Sequence, residues 1–233
     1  MMRIAIFYSY ISPIERNSKE LLSENETLET VQKIQQILSP FYTIFPFEVS
    51  TESLLHLFSV KFDLAINLCE NFNQDPKGEA SFAGLLDLLQ IPFTGSDALT
   101  LGFCLNKIRM KEFFRIHSIS TPKFIVVENG VIPHEMLLQF PLIIKPSNED
   151  ASIGISVKSV VNSKEELYNQ VQRMVKDGYA ALLVEEYIEG REINVSLIGN
   201  GVDIKILPIS EIIFDYKLPL PHIVDYDCKW VPE

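Results

Sequence analysis

The chain has 233 residues, of which 47% are apolar, so it can bury one or two cores and is not expected to be disordered. A formal net charge of −11 argues against nucleic-acid and anionic-membrane partners, because such surfaces need clustered Lys and Arg. The cysteines Cys69, Cys104 and Cys228 show no zinc spacing and no disulfide framework, which favours a reducing, cytoplasmic setting. No apolar run approaches the ~18 residues that a transmembrane helix needs.

The first 95 residues alternate between strand-like and helix-like segments. In chain order, the predicted elements are strand 3–10, helix 25–38, strands 42–47 and 62–69, helix 81–89 and strand 91–95. Such alternation predicts a parallel sheet covered on both faces, and therefore a small Rossmann-like domain. No Gly-x-Gly-x-x-Gly follows the first strand, so the sequence does not predict an NAD site.

From residue 96 onwards the pattern changes, and a helix that carries Lys107 is expected to end before Pro122. The later predicted elements are strand 123–127, helix 133–140, strands 141–145 and 155–161, a helix after Ser163, strands 181–188, 191–198 and 202–209, and a final loop rich in proline and aromatic residues. The helix after Ser163 has a signal at both ends. Ser163 and Glu166 form a capping-box pattern, and Gly178 supplies the stop.

A lysine ends one of the buried strands. Lys145 follows the apolar run Leu142-Ile143-Ile144 and precedes a polar loop that contains Ala151-Ser152-Ile153-Gly154. A lysine in such a place needs a partner, which is either a carboxylate or the phosphate of a ligand. Small loop residues let backbone N–H groups approach phosphate oxygens closely, so the sequence allows a phosphate site beside Lys145.

Two further segments carry charges that suit a nucleotide. Lys107 and Lys111 lie four residues apart on one helical face, although a solvated face explains them equally well. The segment "VEEYIEGRE" (184–192) places two carboxylates at the end of a strand and a third after a turn. Carboxylates and backbone groups in such a place can bind an adenine amino group and ribose hydroxyls, and a polar hairpin is the alternative.

Taken in order, four segments resemble the ATP-grasp fold and, within it, the D-alanine–D-alanine ligases. They are "IPFTGSDALTLGFCLNKIRMK", "FPLIIKPSNEDASIGIS", "LLVEEYIEGREINVSLIGN" and "VDYDCKW". The resemblance runs from about Phe62 to the end of the chain. It implies an α/β protein in which a Rossmann-like (pre-ATP-grasp) N-terminal domain over 1–95 precedes an incomplete ATP-grasp α+β pair. In that pair, 96–190 would form the central domain and 191–233 the start of the C-terminal domain.

The resemblance also assigns roles to individual residues. Lys107 and Lys145 would bind ATP phosphates, and Ser152 and Gly154 would belong to a loop that covers them. Nucleoside contacts would come from Glu185 to the adenine amino group, from the Glu186–Ile188 backbone to the adenine edge, and from Glu192 to the ribose. The implied catalytic residues are Lys229, which would reach the γ-phosphate, and Glu15, which echoes a substrate-binding loop.

Members of this family activate a carboxylate as an acyl phosphate, which an amine then attacks. Two departures concern the substrates. The covering loop reads Glu149-Asp150-Ala151-Ser152-Ile153-Gly154, where the ligases normally have Glu-Gly-Ser-Ser-Val-Gly. The segment "SPIERNS" keeps Glu15-Arg16 but lacks the family's glycines. The resemblance therefore implies a small amino-acid or carboxylate substrate without identifying it, and a homodimer is left open.

The family's magnesium carboxylates follow the loop that ends near Lys229, so the ligands of Mg²⁺ are expected beyond residue 233 and no metal ligand is predicted within the chain. The 233 residues alone are accordingly expected to bind ATP without turnover. The leading hypothesis is an ATP-dependent carboxylate–amine ligase. The alternatives are a non-catalytic nucleotide-binding module and a Rossmann-like binder of another small molecule.

Overall fold

A computed structural model describes residues 1–9, 20–73, 75–217, 219 and 221–230. The chain divides into two compact units. Unit 1 comprises Met1–Thr121, Pro146–Ile153 and Tyr226–Glu233, and unit 2 comprises Pro122–Lys145 and Gly154–Asp225. The domain boundaries that the sequence suggests, after residues 95 and 190, follow from the family resemblance and stay predictions.

The helices and strands are numbered in chain order. Up to residue 116 they are β1 (Arg3–Ser9), α1 (Glu20–Leu38), β2 (Thr43–Val49), α2 (Thr51–Leu57), β3 (Leu64–Leu68), α3 (Lys77–Leu88), α4 (Ala98–Leu105) and α5 (Lys107–Ile116). The remainder are β4 (Phe124–Glu128), β5 (Leu142–Pro146), β6 (Val160–Val161), α6 (Lys164–Lys176), β7 (Ala181–Glu186), β8 (Glu192–Asn194), β9 (Leu197–Ile198), β10 (Lys205–Ile206), β11 (Ser210–Ile212) and α7 (Tyr226–Trp230). Short 3₁₀ helices occupy Val157–Ser159 and Gly201–Asp203.

Unit 1 is built on a parallel sheet in the order β2-β1-β3, as the sequence pattern predicted. The central strand β1 is apolar and buried, because neighbouring strands pair with both of its edges. The Phe7 ring meets the rings of Phe47, Phe62 and Phe82 edge-on, with centroids 5.1–5.9 Å apart. The predicted strand at 91–95 is reduced to one parallel bridge between Phe93 and Ala65.

Unit 2 contains a four-stranded sheet in the order β4-β7-β5-β6, in which β4 pairs antiparallel with β7 and β5 with β6. Helix α6 adds Leu167, Val171 and Met174 to the buried core of this unit. The predicted ends of this helix are confirmed. The Ser163 hydroxyl accepts a hydrogen bond from the Glu166 N–H at 3.2 Å, and Gly178 follows the helix with φ +102°.

The helix predicted at 133–140 is wrong, because that segment is irregular in the structure. Met136, Leu138 and Phe140 pack against the core at every second residue, which is the spacing of extended chain rather than of a helix. Prolines at 133 and 141 bracket the segment, and the residue before a proline disfavours helical backbone. The burial of these three side chains against the core favours extended chain more strongly than the moderate helical propensity of the segment favours a helix.

The strand predicted at 155–161 survives only as β6, since a 3₁₀ turn occupies Val157–Ser159. The strands predicted at 181–188, 191–198 and 202–209 correspond to β7 and to short antiparallel pairs, β9 with β10 and β8 with β11. The final segment, predicted as a loop, contains the short helix α7. Among the described residues, no helix has the length and apolar content to cross a membrane.

Candidate functional site

The lysine at the end of β5 has a carboxylate partner. The Lys145 Nζ atom lies 2.6 Å from Oε1 of Glu185, which is on the neighbouring strand β7. The Glu185 side chain is 8% exposed, whereas that of Lys145 is 28% exposed. Ile144 and Val184, the residues that precede the pair on the two strands, are fully buried and fix the backbone on both sides. An ammonium at the end of a buried strand is therefore balanced from the next strand, and its outer part is open to solvent.

The end of β7 is tied to both of its neighbours. The Glu186 N–H donates to the carbonyl of Lys123 at 3.0 Å, and the Tyr187 N–H donates to the carbonyl of Pro141 at 3.0 Å. The Glu186 carboxylate accepts a hydrogen bond from the Gln139 N–H at 3.1 Å. Ile188, two residues past the strand, is 66% exposed. The candidate adenine segment thus begins on a fixed strand and continues as exposed chain.

Glu192, the candidate ribose ligand, is exposed at the start of β8 and lies opposite Ile212 in the pairing with β11. An ion pair flanks it, in which Arg191 donates two hydrogen bonds to Glu211 at 2.7 and 2.6 Å. The hydrogen bonds and the positive charge of Arg191 lower the pKa of Glu211, and the same contact raises the pKa of Arg191. This pair fixes the start of the hairpin on which Glu192 is carried.

Lys107 in unit 1 lies against the loop that follows β5. Its backbone N–H donates to the carbonyl of Ser147 at 3.0 Å, and its ammonium donates to the carbonyl of Glu149. Asn106 caps α5, because its side chain accepts from the Arg109 N–H at 3.0 Å. Lys111, one turn further along α5, is only 4% exposed, so the solvated face that the sequence allowed is wrong for this lysine.

The tip of this loop is a tight turn. Ala151 and Ser152 both have positive φ, 51° and 62°, and the Ile153 N–H closes the turn on the carbonyl of Asp150 at 2.9 Å. The Asp150 carboxylate accepts from the Ala151 N–H at 2.8 Å. Gly154, at the start of the next stretch of unit 2, has φ +76°, a conformation that glycine adopts without steric cost.

A group of carboxylates in unit 1 was not singled out from the sequence. Burial raises the pKa of Glu70 and of Glu79, and the negative charge of Asp150 raises both further. Glu70 follows β3, where the Ser9 hydroxyl accepts from the N–H groups of Glu70 and Asn71 at 2.7 and 3.0 Å. Sequence alone could not find this group, because its members are brought together from three distant segments.

The same strand end holds a buried thiol. Burial raises the pKa of Cys69 to about 11, although a hydrogen bond from Ser9 acts in the opposite direction. The Asn71 Oδ1 atom is buried and has no hydrogen-bond partner in the described part of the chain. A thiol with so high a pKa stays protonated at neutral pH, so Cys69 is a core residue, as its place at the end of an apolar strand predicts.

The two residues with predicted catalytic roles are placed differently. Lys229 is exposed on α7 in unit 1. Glu15 lies outside the described residues.

In unit 2, the Tyr187 hydroxyl donates to the His222 carbonyl at 3.2 Å and accepts from the His222 N–H at 3.1 Å, which ties the proline-rich segment to the end of β7.

Comparison with known proteins identifies relatives of this chain. The sequence profile of the family described as "D-ala D-ala ligase C-terminus" matches residues 113–233. The D-alanine–D-alanine ligase of Carboxydothermus hydrogenoformans is 33% identical over 162 residues, which are 66% of this chain and 49% of that protein. D-alanine–D-alanine ligase B of Pseudomonas putida is 32% identical over 187 residues, 79% of this chain and 54% of that protein. The chain spans about half the length of the curated relatives it matches.

Solved structures give the same result. The D-alanine–D-alanine ligase of Bacillus anthracis, in complex with ATP, superimposes with a TM-score of 0.67 at 25% identity, covering 95% of this chain and 72% of that chain. The corresponding enzyme of Helicobacter pylori has a TM-score of 0.63 at 17% identity, covering 95% and 78% of the two chains. The second likeness concerns the fold alone.

Proposed function

Because the chain belongs to the D-alanine–D-alanine ligase family, we propose that it carries the ATP-binding part of a ligase that joins a carboxylate to an amine. The predicted fold class, a Rossmann-like region followed by ATP-grasp elements, is the fold of this family. The observation that carries the proposal is the pairing of Lys145 with Glu185 on neighbouring strands. This pairing sets a candidate phosphate ligand beside a candidate base ligand on a fixed sheet.

The donor and acceptor set suits ATP. Lys145 offers an ammonium to a phosphate oxygen, and Glu185 offers a carboxylate to the adenine amino group. The exposed carboxylate of Glu192 can accept hydrogen bonds from ribose hydroxyls. In unit 1, Lys107 begins helix α5 and Ser152 lies in the loop beside it. We assign both residues to phosphate binding. No group in this set has a chemistry that conflicts with its proposed partner.

When bound, ATP supplies the phosphoryl group that activates the carboxylate substrate. The ammonium groups of this chain hold the phosphates and neutralise their charge, which is the main electrostatic need of phosphoryl transfer. We assign Lys229 to the terminal phosphate, because its segment "VDYDCKW" resembles the family loop with that role. The Glu186–Ile188 backbone would follow the adenine edge, since it continues the strand that carries Glu185.

D-alanine–D-alanine ligases depend on ATP and on a metal ion. Within the described residues, no group of three or more His, Cys, Asp or Glu side chains could hold a metal. The steps that we assign to the described residues are binding and charge neutralisation only. The magnesium ligands are assigned outside the described residues, as the resemblance implies.

The acid and the amine are proposed only by class. The loop 149–154 departs from the usual ligase sequence at Asp150 and Ala151, so we propose a small amino acid or carboxylate rather than D-alanine specifically. Glu15 is assigned to the ammonium group of that substrate through its resemblance to the family loop. We propose a cytoplasmic location, because the spacing of the three cysteines shows no disulfide framework.

Calorimetry with ATP, ADP and a non-hydrolysable analogue tests the proposal on the 233-residue protein. Lys145→Ala is expected to weaken ATP binding by about 30-fold, since a charge-assisted hydrogen bond is lost. Lys164→Ala, at the exposed start of α6, is the matched control and should bind ATP normally. If millimolar nucleotide produced neither a heat of binding nor a shift in melting temperature, the proposal that the protein binds ATP would be contradicted.

Ligation is tested separately from binding. An ADP-release assay with magnesium and a panel of amino acids is run on the longest translation product of the gene that contains residues 1–233. Turnover with one acid and one amine identifies the substrates and supports the ligase. ATP binding without turnover across a broad panel favours the non-catalytic nucleotide-binding module.

A further inference from the structure

We propose that Glu185 makes phosphate binding depend on the base of the nucleotide, because in the nucleotide-free protein it holds the ammonium that the phosphate must use. This inference rests on the proposed function. It assigns Glu185 a second role beside contact with the base, that of a competitor for Lys145. A ligand that offers charge alone is therefore disfavoured, and a ligand that also offers an amino-bearing base is selected.

The first step of the argument is the geometry of the pair. The 2.6 Å between Lys145 Nζ and Glu185 Oε1 is at the short end of charge-assisted hydrogen bonds. Both residues lie on paired neighbouring strands of unit 2, and the residues that precede them, Ile144 and Val184, are fully buried. The carboxylate has little room to withdraw, because only 8% of its surface is exposed. The ammonium remains reachable, since 28% of the lysine side chain is open to solvent.

The second step is electrostatic. A phosphate oxygen that approaches the Lys145 ammonium also approaches the negative charge of Glu185, which opposes a second anion. The opposition is strong here, because a poorly solvated carboxylate is weakly screened. An inorganic polyphosphate must overcome this opposition with no compensation.

The third step is compensation by the base. The adenine amino group donates a hydrogen bond to a carboxylate and so offsets part of the charge that opposes the phosphates. Hypoxanthine has a carbonyl oxygen in place of that amino group, and an oxygen facing a carboxylate is repelled. Base and phosphate recognition are thus coupled through two side chains that touch each other, Lys145 and Glu185.

Titration calorimetry with ATP, inosine triphosphate and inorganic tripolyphosphate tests the coupling. Glu185→Gln is expected to raise the affinity for tripolyphosphate by at least about fivefold, because the negative charge that opposes the phosphates is removed. The preference of the wild-type protein for ATP over inosine triphosphate should fall by a similar factor in this variant. Glu165→Gln, an equal charge change at an exposed position of α6, should leave all three affinities unchanged.

A second variant keeps the test decisive if Glu185→Gln does not fold, as judged by circular dichroism and thermal melting. Glu185→Asp retains the charge but is one methylene too short for a 2.6 Å contact with Lys145, so tripolyphosphate should bind about twofold more tightly. Unchanged or weaker tripolyphosphate binding in a folded Glu185 variant overturns the inference and leaves ATP binding intact. Failure of ATP itself to bind the wild-type protein overturns the proposed function instead.

Discussion

Two ion pairs of unit 2 have the same shortest distance and quite different surroundings. Lys145 and Glu185 meet at 2.6 Å on the four-stranded sheet, where the carboxylate is buried. Arg191 and Glu211 also meet at 2.6 Å, but Arg191 is 71% exposed at the start of a hairpin. Distance alone therefore does not say what an ion pair contributes, because the cost of removing one partner depends on how much water reaches the other.

The apolar residues around the two pairs differ in the same way. Ile144 and Val184, beside the first pair, are fully buried. Ile193, Leu197 and Ile206, on the hairpin that Arg191 opens, are 42%, 59% and 68% exposed. The charges on the sheet are thus held in a weakly screened setting, whereas both charges on the hairpin are more open to solvent than their counterparts on the sheet. Only the first setting can couple one ligand group strongly to another.

The largest difference between the two pairs is expected when the cation is removed. Lys145→Met should lower the free energy of unfolding by about 3 kcal/mol, because a buried carboxylate loses its ammonium. Arg191→Met leaves the Glu211 carboxylate, which is 26% exposed and so more open to water than Glu185, and the loss of stability in urea melts should be well below that of Lys145→Met. Equal losses in the two variants would mean that the burial of Glu185 is not what sets the cost.

A double-mutant cycle sharpens the comparison. Adding Glu185→Gln to Lys145→Met should restore about 2 kcal/mol of the lost stability, since no buried charge then remains at that position. The corresponding cycle with Arg191→Met and Glu211→Gln should show additive effects within the error of urea melts. Additivity at the buried pair would show that Lys145 and Glu185 act independently on stability.

Sequence patterns predicted the sheets better than they predicted this pair. The parallel order of unit 1 follows from alternating elements, and both ends of α6 follow from Ser163 and Gly178. These signals are local, so they can be read along the chain. The helix expected at 133–140 failed because its apolar residues contact a core formed by distant segments, and tertiary contacts override a moderate local propensity.

The candidate site also contains features that the sequence predicted and contacts that it could not predict. Lys145 was recognised as needing a partner, and the sequence left open whether this was a carboxylate or a phosphate. Its contact with Glu185 could not be derived, because the two residues are 40 positions apart and the strand order is not written in either segment. The role of Glu149 as an acceptor for Lys107 was missed, since a backbone carbonyl has no signature in the sequence. Glu15 and the boundaries of the three domains stay predictions.

The carboxylates of Asp150, Glu70 and Glu79 in unit 1 provide a further test, in which the removal of a like charge should stabilise the protein by a smaller amount. Asp150→Asn should raise the melting temperature at neutral pH by about 2 °C, after allowance for solvent screening of partly exposed groups. The change removes a charge that raises the pKa of both Glu70 and Glu79, and the amide oxygen can still accept from the Ala151 N–H. Asp203→Asn, on the exposed turn of the hairpin, is the matched control and should have no effect.

The pH dependence of the stability gained by Asp150→Asn follows from the raised pKa values of Glu70 and Glu79. The pKa of Glu70 and of Glu79 is higher in the folded protein than the ordinary 4.5, so ionisation of these groups opposes folding at neutral pH. As the pH falls through the raised pKa values, the folded protein takes up protons first and the penalty disappears. The gain from Asp150→Asn should accordingly shrink as the pH falls through the raised pKa values and be nearly gone below about pH 4.5, the ordinary pKa. A gain that grows on acidification would contradict the assignment.

The smallest expected effect is that of salt, and it separates the two ion pairs by screening alone. At about 1 M NaCl the Debye length is near 3 Å, so charges in contact with solvent are screened even at short range, whereas buried pairs are screened much less. The small difference in melting temperature between wild type and Arg191→Met at about 0.05 M NaCl should therefore vanish at about 1 M. The difference between wild type and Lys145→Met should persist, because water and ions do not reach the Glu185 carboxylate freely. Parallel melts of the three proteins at both salt concentrations measure this. If salt abolished the effect of Lys145→Met as well, the contact on the sheet would be as solvated as that on the hairpin, and the proposed coupling of base to phosphate would lose its physical basis.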